Sequence, residues 1–192
     1  MTADSFALFD TALGRCGIAW GARGVVGVQL PEASEGGTRA RILRRCPDAS
    51  EVPPPLAVQH AIDGIVALLR GEGGDLSAVE LDMDGVPPFH RRVYELARTI
   101  APGETVSYGE IAAQLGALGA ARAVGQALAR NPFAIVVPCH RVLAAGRKVG
   151  GFSAHGGTTT KLRLLSIERA HTADAPTLFG TDCAFGAAHE TG

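Results

Sequence analysis

The first 85 residues alternate between short apolar runs and glycine-bearing turns. Runs rich in Val, Ile and aromatic residues, the composition of β-strands, lie at residues 6–11, 16–20 and 24–30. Their spacing predicts an antiparallel hairpin or meander. A polar, arginine-bearing stretch over residues 32–45 follows, which is compatible with a short helix, and prolines at 53–55 then interrupt regular structure.

A helical pattern begins after these prolines. An apolar stripe with intervals of 4, 3 and 4 is formed by Val58, Ile62, Ile65 and Leu69. This period predicts a helix that ends before Gly71. Apolar residues then alternate over 79–83, which predicts a strand. The segment 84–88 contains Asp, Gly and Pro, and we expect it to be the linker between two domains.

The second half of the chain has a mainly helical pattern. The same 4, 3, 4 spacing is found in Phe89, Val93, Leu96 and Ile100. Ser107 and Glu110 have the spacing of a capping box, which predicts that a helix begins there. A glycine-bearing turn at 116–119 separates this helix from a second one over 120–130, and the pair has the outline of a helix-turn-helix.

The remainder of the chain is predicted from its prolines and glycines. Residues 133–137 are apolar and lie between two prolines, so we expect a short buried strand that leads to Cys139. A glycine-rich loop over 146–157 and a helix over 160–170 follow. Residues 171–192 are small, polar and acidic, and we expect a flexible tail.

Composition narrows the class of protein. With 46% hydrophobic and 19% charged residues, the chain is predicted to fold as a globular protein rather than to be disordered. It has no apolar run long enough to cross a bilayer, and its first residues lack a secretion signal, so we expect a cytoplasmic protein with no membrane partner.

The net charge of −1 conceals an uneven distribution. Residues 1–87 carry 7 basic and 12 acidic side chains (net −5), residues 88–170 carry 11 and 4 (net +7), and residues 171–192 carry 0 and 3 (net −3). A basic segment of this kind indicates either a polyanionic partner or a solvated charged face, and charge alone favours neither.

Four cysteines are present, and one of them has an unusual setting. Cys16, Cys46, Cys139 and Cys183 include no C-x-x-C pair, so neither a disulfide framework nor a zinc site is predicted, and we expect no metal and no cofactor. Cys139 follows Pro138 and precedes His140 and Arg141.

Three interpretations of Cys139 are open. Thiolate sulfur is a soft nucleophile, and neighbouring cations or hydrogen-bond donors increase its population, so an acceptor of alkyl groups is one interpretation. A buried inert cysteine is the second. A Cys–His hydrolase is the third, although on an extended chain His140 would point away from Cys139 and would need a turn or a water molecule to reach it.

The motif over residues 131–142, Asn-Pro-Phe-Ala-Ile-Val-Val-Pro-Cys-His-Arg-Val, resembles the active-site signature of the methylated-DNA–protein-cysteine methyltransferases, the O6-alkylguanine-DNA alkyltransferases. The segments 105–112 and 120–125 resemble the helix-turn-helix of this family, and 161–168 also fits. The match covers about residues 85–170. It implies an α+β fold, with a small ribonuclease-H-like α/β domain over 1–85 and a mostly helical, winged-helix-like domain with a helix-turn-helix over 86–170.

The resemblance implies a role for each residue of the motif. Cys139 would be the alkyl acceptor, and His140 would activate it through a water molecule while Glu168 orients His140. Asn131 would brace the turn between the recognition helix and the active-site strand.

The resemblance also implies a DNA-contacting set. Arg122 would enter the duplex in place of the flipped guanine, and Tyr108 would crowd the phosphate of the target nucleotide. Small residues such as Ala121 and Gly125 let the recognition helix approach the DNA backbone closely, and Arg141, Phe152 and Ser153 complete the set. Phe152 occupies the position at which the family commonly has a Tyr whose hydroxyl reaches the guanine O6, so Ser153, a water molecule or a backbone N–H would replace that donor.

The leading hypothesis is therefore direct repair of O6-alkylguanine in double-stranded DNA, with O4-alkylthymine as a further candidate lesion. The alkyl group would pass irreversibly to Cys139 in a single turnover by a monomeric protein. The alternative is a non-enzymatic protein that only binds alkyl lesions. Cys139 argues against that alternative, because such proteins lack the nucleophile.

Overall fold

The computed structural model describes residues 3–172, which form a mixed α/β fold. The strands are β1 (Ser5–Thr11), β2 (Gly14–Gly21), β3 (Gly24–Gln29), β4 (Ser50–Glu51), β5 (Val106–Ser107) and β6 (Val142–Leu143). The helices are α1 (Glu35–Arg45), α2 (Leu56–Leu69), α3 (Pro88–Arg98), α4 (Tyr108–Gln114), α5 (Ala121–Ala129) and α6 (Gly157–Ile167). The predicted tail lies, from residue 173 onwards, outside the described residues.

The predicted meander is present as a four-stranded sheet with the order β3-β2-β1-β4. β2 pairs antiparallel with both of its neighbours, and β4 adds parallel to β1. Alternate side chains divide the sheet into two faces. Phe6 and Val26 pack against Ile42 of α1, whereas Ile18 and its neighbours pack against α2. Gly17 lets α1 approach, since a Cβ there would lie 2.1 Å from Ile42 Cδ1.

The helices of the second half surround the end of the loop that carries Cys139. The capping box predicted at the start of α4 is present: Ser107 Oγ accepts from Glu110 N at 3.1 Å, and Ser107 N donates to Glu110 Oε2 at 2.6 Å. α4 and α5 pack together across the 116–119 turn, and α3 packs against both. The helix-turn-helix outline is therefore formed.

The strand predicted over residues 79–83 is wrong. A single bridge joins Leu81 to Val25, with backbone hydrogen bonds from Val25 N to Glu80 O and from Asp82 N to Val25 O. The strand does not continue because the Asp82 carboxylate accepts from the backbone N–H of Asp84, which turns the chain.

The main hydrophobic cluster is continuous across the predicted boundary at residue 85. It contains Ile18 and Ile65 from the first half together with Val93, Val124 and Phe133 from the second. The two parts of the chain therefore share one core, and the Cys139 loop lies against both. In the described part of the chain, no helix combines the length and the apolar character that crossing a membrane requires.

Candidate active site

The loop over residues 131–138 presents Cys139, and Asn131 holds its shape. The Asn131 amide donates to Val137 O at 2.8 Å and its carbonyl accepts from Phe133 N at 2.9 Å. The strand predicted over 133–137 is wrong, because the segment forms successive turns, and the β-branched Ile135 has a left-handed φ of 70°. The apolar side chains are nevertheless buried, as expected. The two hydrogen bonds of Asn131 thus brace the turn that precedes the cysteine.

Cys139 begins a short 3-10 turn rather than continuing an extended chain. The turn spans Cys139–Arg141, and Arg141 N donates to Pro138 O at 2.9 Å. The thiol is buried, and burial raises its pKa, while the Asn131 amide and the Lys161 charge oppose that rise. The expectation that His140 would point away on an extended chain therefore does not apply here.

His140, Arg141 and Glu168 form a buried ionic cluster behind the nucleophile. The two Glu168 carboxylate oxygens accept from Arg141 Nη2 and Nε at 2.7 and 2.9 Å, and His140 Nε2 lies 3.0 Å from Glu168 Oε1. Burial opposes ionisation of Glu168, but the hydrogen bonds from His140 and Arg141 and their charges together lower its pKa to about 2. Glu168 is therefore a carboxylate at neutral pH.

The tautomer of His140 follows from its hydrogen bond to the Glu168 carboxylate. Burial lowers the pKa of His140, and this effect outweighs the opposing interaction with Glu168, so the ring is neutral at pH 7. Since a carboxylate only accepts, the single ring proton is on Nε2. Nδ1 is then a lone-pair acceptor, and it is buried with no hydrogen-bond partner. A buried acceptor of this kind is the place for a bridging water molecule.

A pocket opens beside Cys139 with a volume of about 380 Å³. Its lining comprises Tyr108, Gly125, Leu128, Ala129, Cys139, Gly151, Phe152 and Ser153. The Tyr108 ring fits between two glycines: a Cβ at Gly125 would lie 3.8 Å from the ring, and a Cβ at Gly150 would lie 3.5 Å from its hydroxyl. Two aromatic side chains, Tyr108 and Phe152, therefore wall the pocket that Cys139 also lines.

Lys161 belongs to this site, although no sequence pattern had indicated it. Its side chain is fully buried, and Nζ donates to Val142 O at 2.6 Å while lying 5.8 Å from the centre of the Tyr108 ring. Burial lowers its pKa to about 8, although the Cys139 thiol acts in the opposite direction. Spacing is the sequence signal that could identify Lys161. It lies seven residues before Glu168, which places it two turns away on the same helix face.

The remaining residues predicted to contact DNA divide into two groups, those that are accessible at the surface or pocket and one that is buried. Arg122 is exposed on α5, with Ala121 half-buried beside it, and Gly125, Phe152 and Ser153 line the pocket. Arg141 is different. It is only 5% exposed, and its guanidinium is bound to Glu168 and to the Ile100 carbonyl. It cannot reach DNA in this arrangement, so its expected contact is replaced by an internal one.

Within residues 3–172, no three His, Cys, Asp or Glu side chains are grouped to hold a metal ion. The fold and the site together define a class of protein in which a buried cysteine lies beside a helix-turn-helix and in front of a His–carboxylate pair.

Comparison with known proteins identifies the family. Residues 88–170 match the model described as "6-O-methylguanine DNA methyltransferase, DNA binding domain". A methylated-DNA–protein-cysteine methyltransferase of Mycolicibacterium paratuberculosis is 49% identical over 125 residues, which cover 65% of this chain and 73% of the relative. One from Methanothermobacter thermautotrophicus is 36% identical over 152 residues, covering 79% and 78%.

The solved structures agree with this result. Mycobacterium tuberculosis OGT in complex with DNA has a TM-score of 0.70 and 36% identity, over 86% of this chain and 92% of that one. The chain belongs to the methylated-DNA–protein-cysteine methyltransferase family.

Proposed function

We propose that this chain repairs alkylated DNA by moving the alkyl group of O6-alkylguanine onto Cys139, once per molecule. The observation that carries the proposal is the arrangement around the thiol: Cys139 lines a pocket large enough for a base, and a neutral, buried His140 follows it with one free ring nitrogen. Family membership supports the reaction type. O4-alkylthymine is a second substrate of the same chemistry.

The proposed reaction needs a proton acceptor for the thiol. A water molecule between Cys139 Sγ and His140 Nδ1 would pass the thiol proton to His140, and Glu168 would stabilise the resulting imidazolium through Nε2. The thiolate then attacks the alkyl carbon. The C–O6 bond breaks with its electron pair on O6, a C–S thioether forms, and the guanine regains a proton at N1. No water molecule readily cleaves the thioether, so the protein is consumed.

Access to the thiol requires that the base leave the helix. A base stacked in a duplex cannot reach a buried sulfur, so the target nucleotide is rotated out into the pocket. Arg122, which is exposed on α5, fills the gap in the stack, and Tyr108 at the pocket wall presses on the target nucleotide. The small residues Ala121 and Gly125 allow α5 to approach the DNA closely. The alternative, a protein that binds alkyl lesions without reacting, is disfavoured because Cys139 is present.

The proposal extends to the cellular setting and to the domains. The protein acts as a monomer in the cytoplasm on double-stranded DNA, in keeping with its family and composition. The sheet of residues 1–85 is proposed to be a ribonuclease-H-like domain, and residues 86–170 a winged-helix-like domain that carries the acceptor cysteine. The shared core supports the view that these two domains pack together as one unit.

The test is the mass of the intact protein after mixing with duplex DNA that holds one O6-methylguanine. We expect a gain of one methyl group, located at Cys139 by peptide mapping and limited to one equivalent. Cys139→Ala abolishes the gain, whereas Cys46→Ala, which removes another buried thiol, retains it. Tight binding to the lesion duplex without any mass gain would contradict repair and identify a lesion-binding protein.

A further inference from the structure

The C-terminal half of α1 brings arginines from the first half of the chain to the rim of the Cys139 pocket. A hollow that adjoins the pocket is lined by Arg41 and Arg45 of α1, by Arg130 after α5, and by Cys139 itself. A second hollow continues from Arg45 and Arg130 towards His90 and Tyr94 of α3. The surface lined by Arg41, Arg45 and Arg130, named here the arginine groove, thus begins at the nucleophile and leads away from it.

The positive charge of the arginine groove is only partly compensated by carboxylates. Elsewhere on α1, Arg39 is paired with Glu35 and Glu51. Within the groove, the Arg45 guanidinium donates to the Pro132 carbonyl at 3.3 Å, and Arg41 forms a long ion pair with Glu32, with 3.8 Å between Nε and Oε1.

Two further observations indicate that the arginine groove could bind an anion. In the described part of the chain, neither Arg45 nor Arg130 has a carboxylate partner. Partial burial lowers the pKa of Arg45, and the neighbouring charge of Arg41 adds to that effect. Arg45 and Arg130, which line the same hollow without a carboxylate partner, are suited to bind an anion.

The location of the groove identifies the anion. A nucleotide that enters the Cys139 pocket draws its strand across the mouth of the pocket. The phosphates next to that nucleotide therefore pass the rim at which the arginine groove begins. Arginine forks bind phosphate oxygens in a bidentate manner. Residues 1–87 have a net charge of −5, which would repel DNA, but α1 carries four Arg and one Glu, a local net of +3.

We propose that the arginine groove binds phosphates of the DNA strand that carries the flipped nucleotide, so that α1 is part of the DNA interface together with the helix-turn-helix. This inference rests on the proposed function, since it assumes that a nucleotide enters the pocket. It extends the interface to the half of the chain whose overall charge is acidic.

The experiment measures, by fluorescence anisotropy, the salt dependence of binding to a duplex that holds one O6-methylguanine, with every variant made in a Cys139→Ala background so that no methyl transfer occurs. Removing one phosphate-binding arginine lowers the slope of log Kd against log salt by about 0.9, so Arg41→Gln with Arg45→Gln should lower it by about 1.8. Arg41→Lys with Arg45→Lys keeps both charges and should retain most of the slope. Arg70→Gln, an exposed arginine that lines neither hollow, is the matched control and should leave the slope unchanged.

The outcomes separate this inference from the proposed function. An unchanged slope in the double Gln variant overturns the arginine groove, even where the wild-type protein takes up a methyl group at Cys139. A failure of the wild type to take up methyl contradicts the proposed function, while the slopes still report whether α1 meets DNA.

The double variants also remove the Arg45–Pro132 hydrogen bond, and the single variants separate that structural effect from phosphate binding. Arg41→Gln removes no hydrogen bond to the Pro132 carbonyl and should lower the slope by about 0.9 with an unchanged Tm. Weaker binding in both the Gln and Lys double variants, with a lower Tm and an unchanged slope, would show a structural role and overturn the proposal.

Discussion

Replacing Glu168 by Gln tests the buried ionic cluster directly. Gln has the shape of the carboxyl group but carries an NH2 donor in place of one acceptor oxygen, so the substitution removes the negative charge and at least one hydrogen bond accepted from Arg141 or His140. The Glu168 and Arg141 side chains are 2% and 6% exposed, so solvent screens their interaction only weakly. We expect a folded but less stable protein, because the Arg141 guanidinium keeps its burial and loses its counter-charge.

The magnitude follows from the pKa of Glu168. The folded-state pKa of about 2 compares with 4.5 for a free side chain, and this difference corresponds to about 3 kcal/mol of stability at pH 7. The folded pKa is lowered, so this contribution is fully present above pH 4.5 and is lost as the pH falls towards 2. At pH 3.5 about 2 kcal/mol remains.

Urea unfolding of wild type and variant at pH 7 and pH 3.5 measures both values. The matched control is Glu95→Gln, an exposed glutamate on α3, which should change the free energy of unfolding by less than about 0.5 kcal/mol. A Glu168→Gln loss below about 1 kcal/mol at pH 7, or a loss of equal size at both pH values, would refute the assigned charge state of Glu168.

Four further substitutions test the site and the fold. Lys161→Met should leave the protein folded, since the removal of a buried charge offsets the loss of the hydrogen bond to Val142 O, yet slow methyl transfer from a lesion duplex about tenfold because the Cys139 thiolate loses a nearby cation. Phe152→Tyr should speed that transfer by about tenfold or more if a phenol donor reaches O6, and an unchanged rate in single-turnover assays would assign the donor elsewhere. Arg122→Ala should slow transfer from a duplex more than from a single-stranded oligonucleotide, because only the duplex has a stack to fill. Gly24→Ala should cost about 2 kcal/mol or more by urea unfolding, since φ is 122° and its Cβ would meet Glu80 O at 2.5 Å.

Local rules predicted the elements whose causes are local. The strands β1 to β3 follow from short apolar runs separated by glycine turns, and α2 and α3 from apolar residues at intervals of 3 and 4. The start of α4 follows from Ser107 and Glu110, whose reciprocal hydrogen bonds need only three residues of sequence. In each case the neighbours along the chain decide the structure.

The failures share a different physical cause. The 133–137 segment has the composition of a strand, but Asn131 binds both Phe133 and Val137, and these two hydrogen bonds bend the segment into turns. The burial of Arg141 depends on Glu168, which is 27 residues away in the chain. A polar residue in sequence is usually exposed, and only the partner's position reveals that this one is internal.

The site also shows why a buried cysteine can be reserved for one reaction. Burial raises the pKa of the Cys139 thiol, which disfavours the reactive thiolate in the resting protein. Lys161 and Asn131 oppose that effect without reversing it, and the proton acceptor His140 is held neutral by the same burial. In the proposed reaction, activation would therefore depend on the relay from the thiol to His140 Nδ1 rather than on a permanently ionised sulfur. Such a thiol reacts slowly with small electrophiles that pass by, while an alkylated base seated in the pocket presents its carbon to the sulfur at high effective concentration.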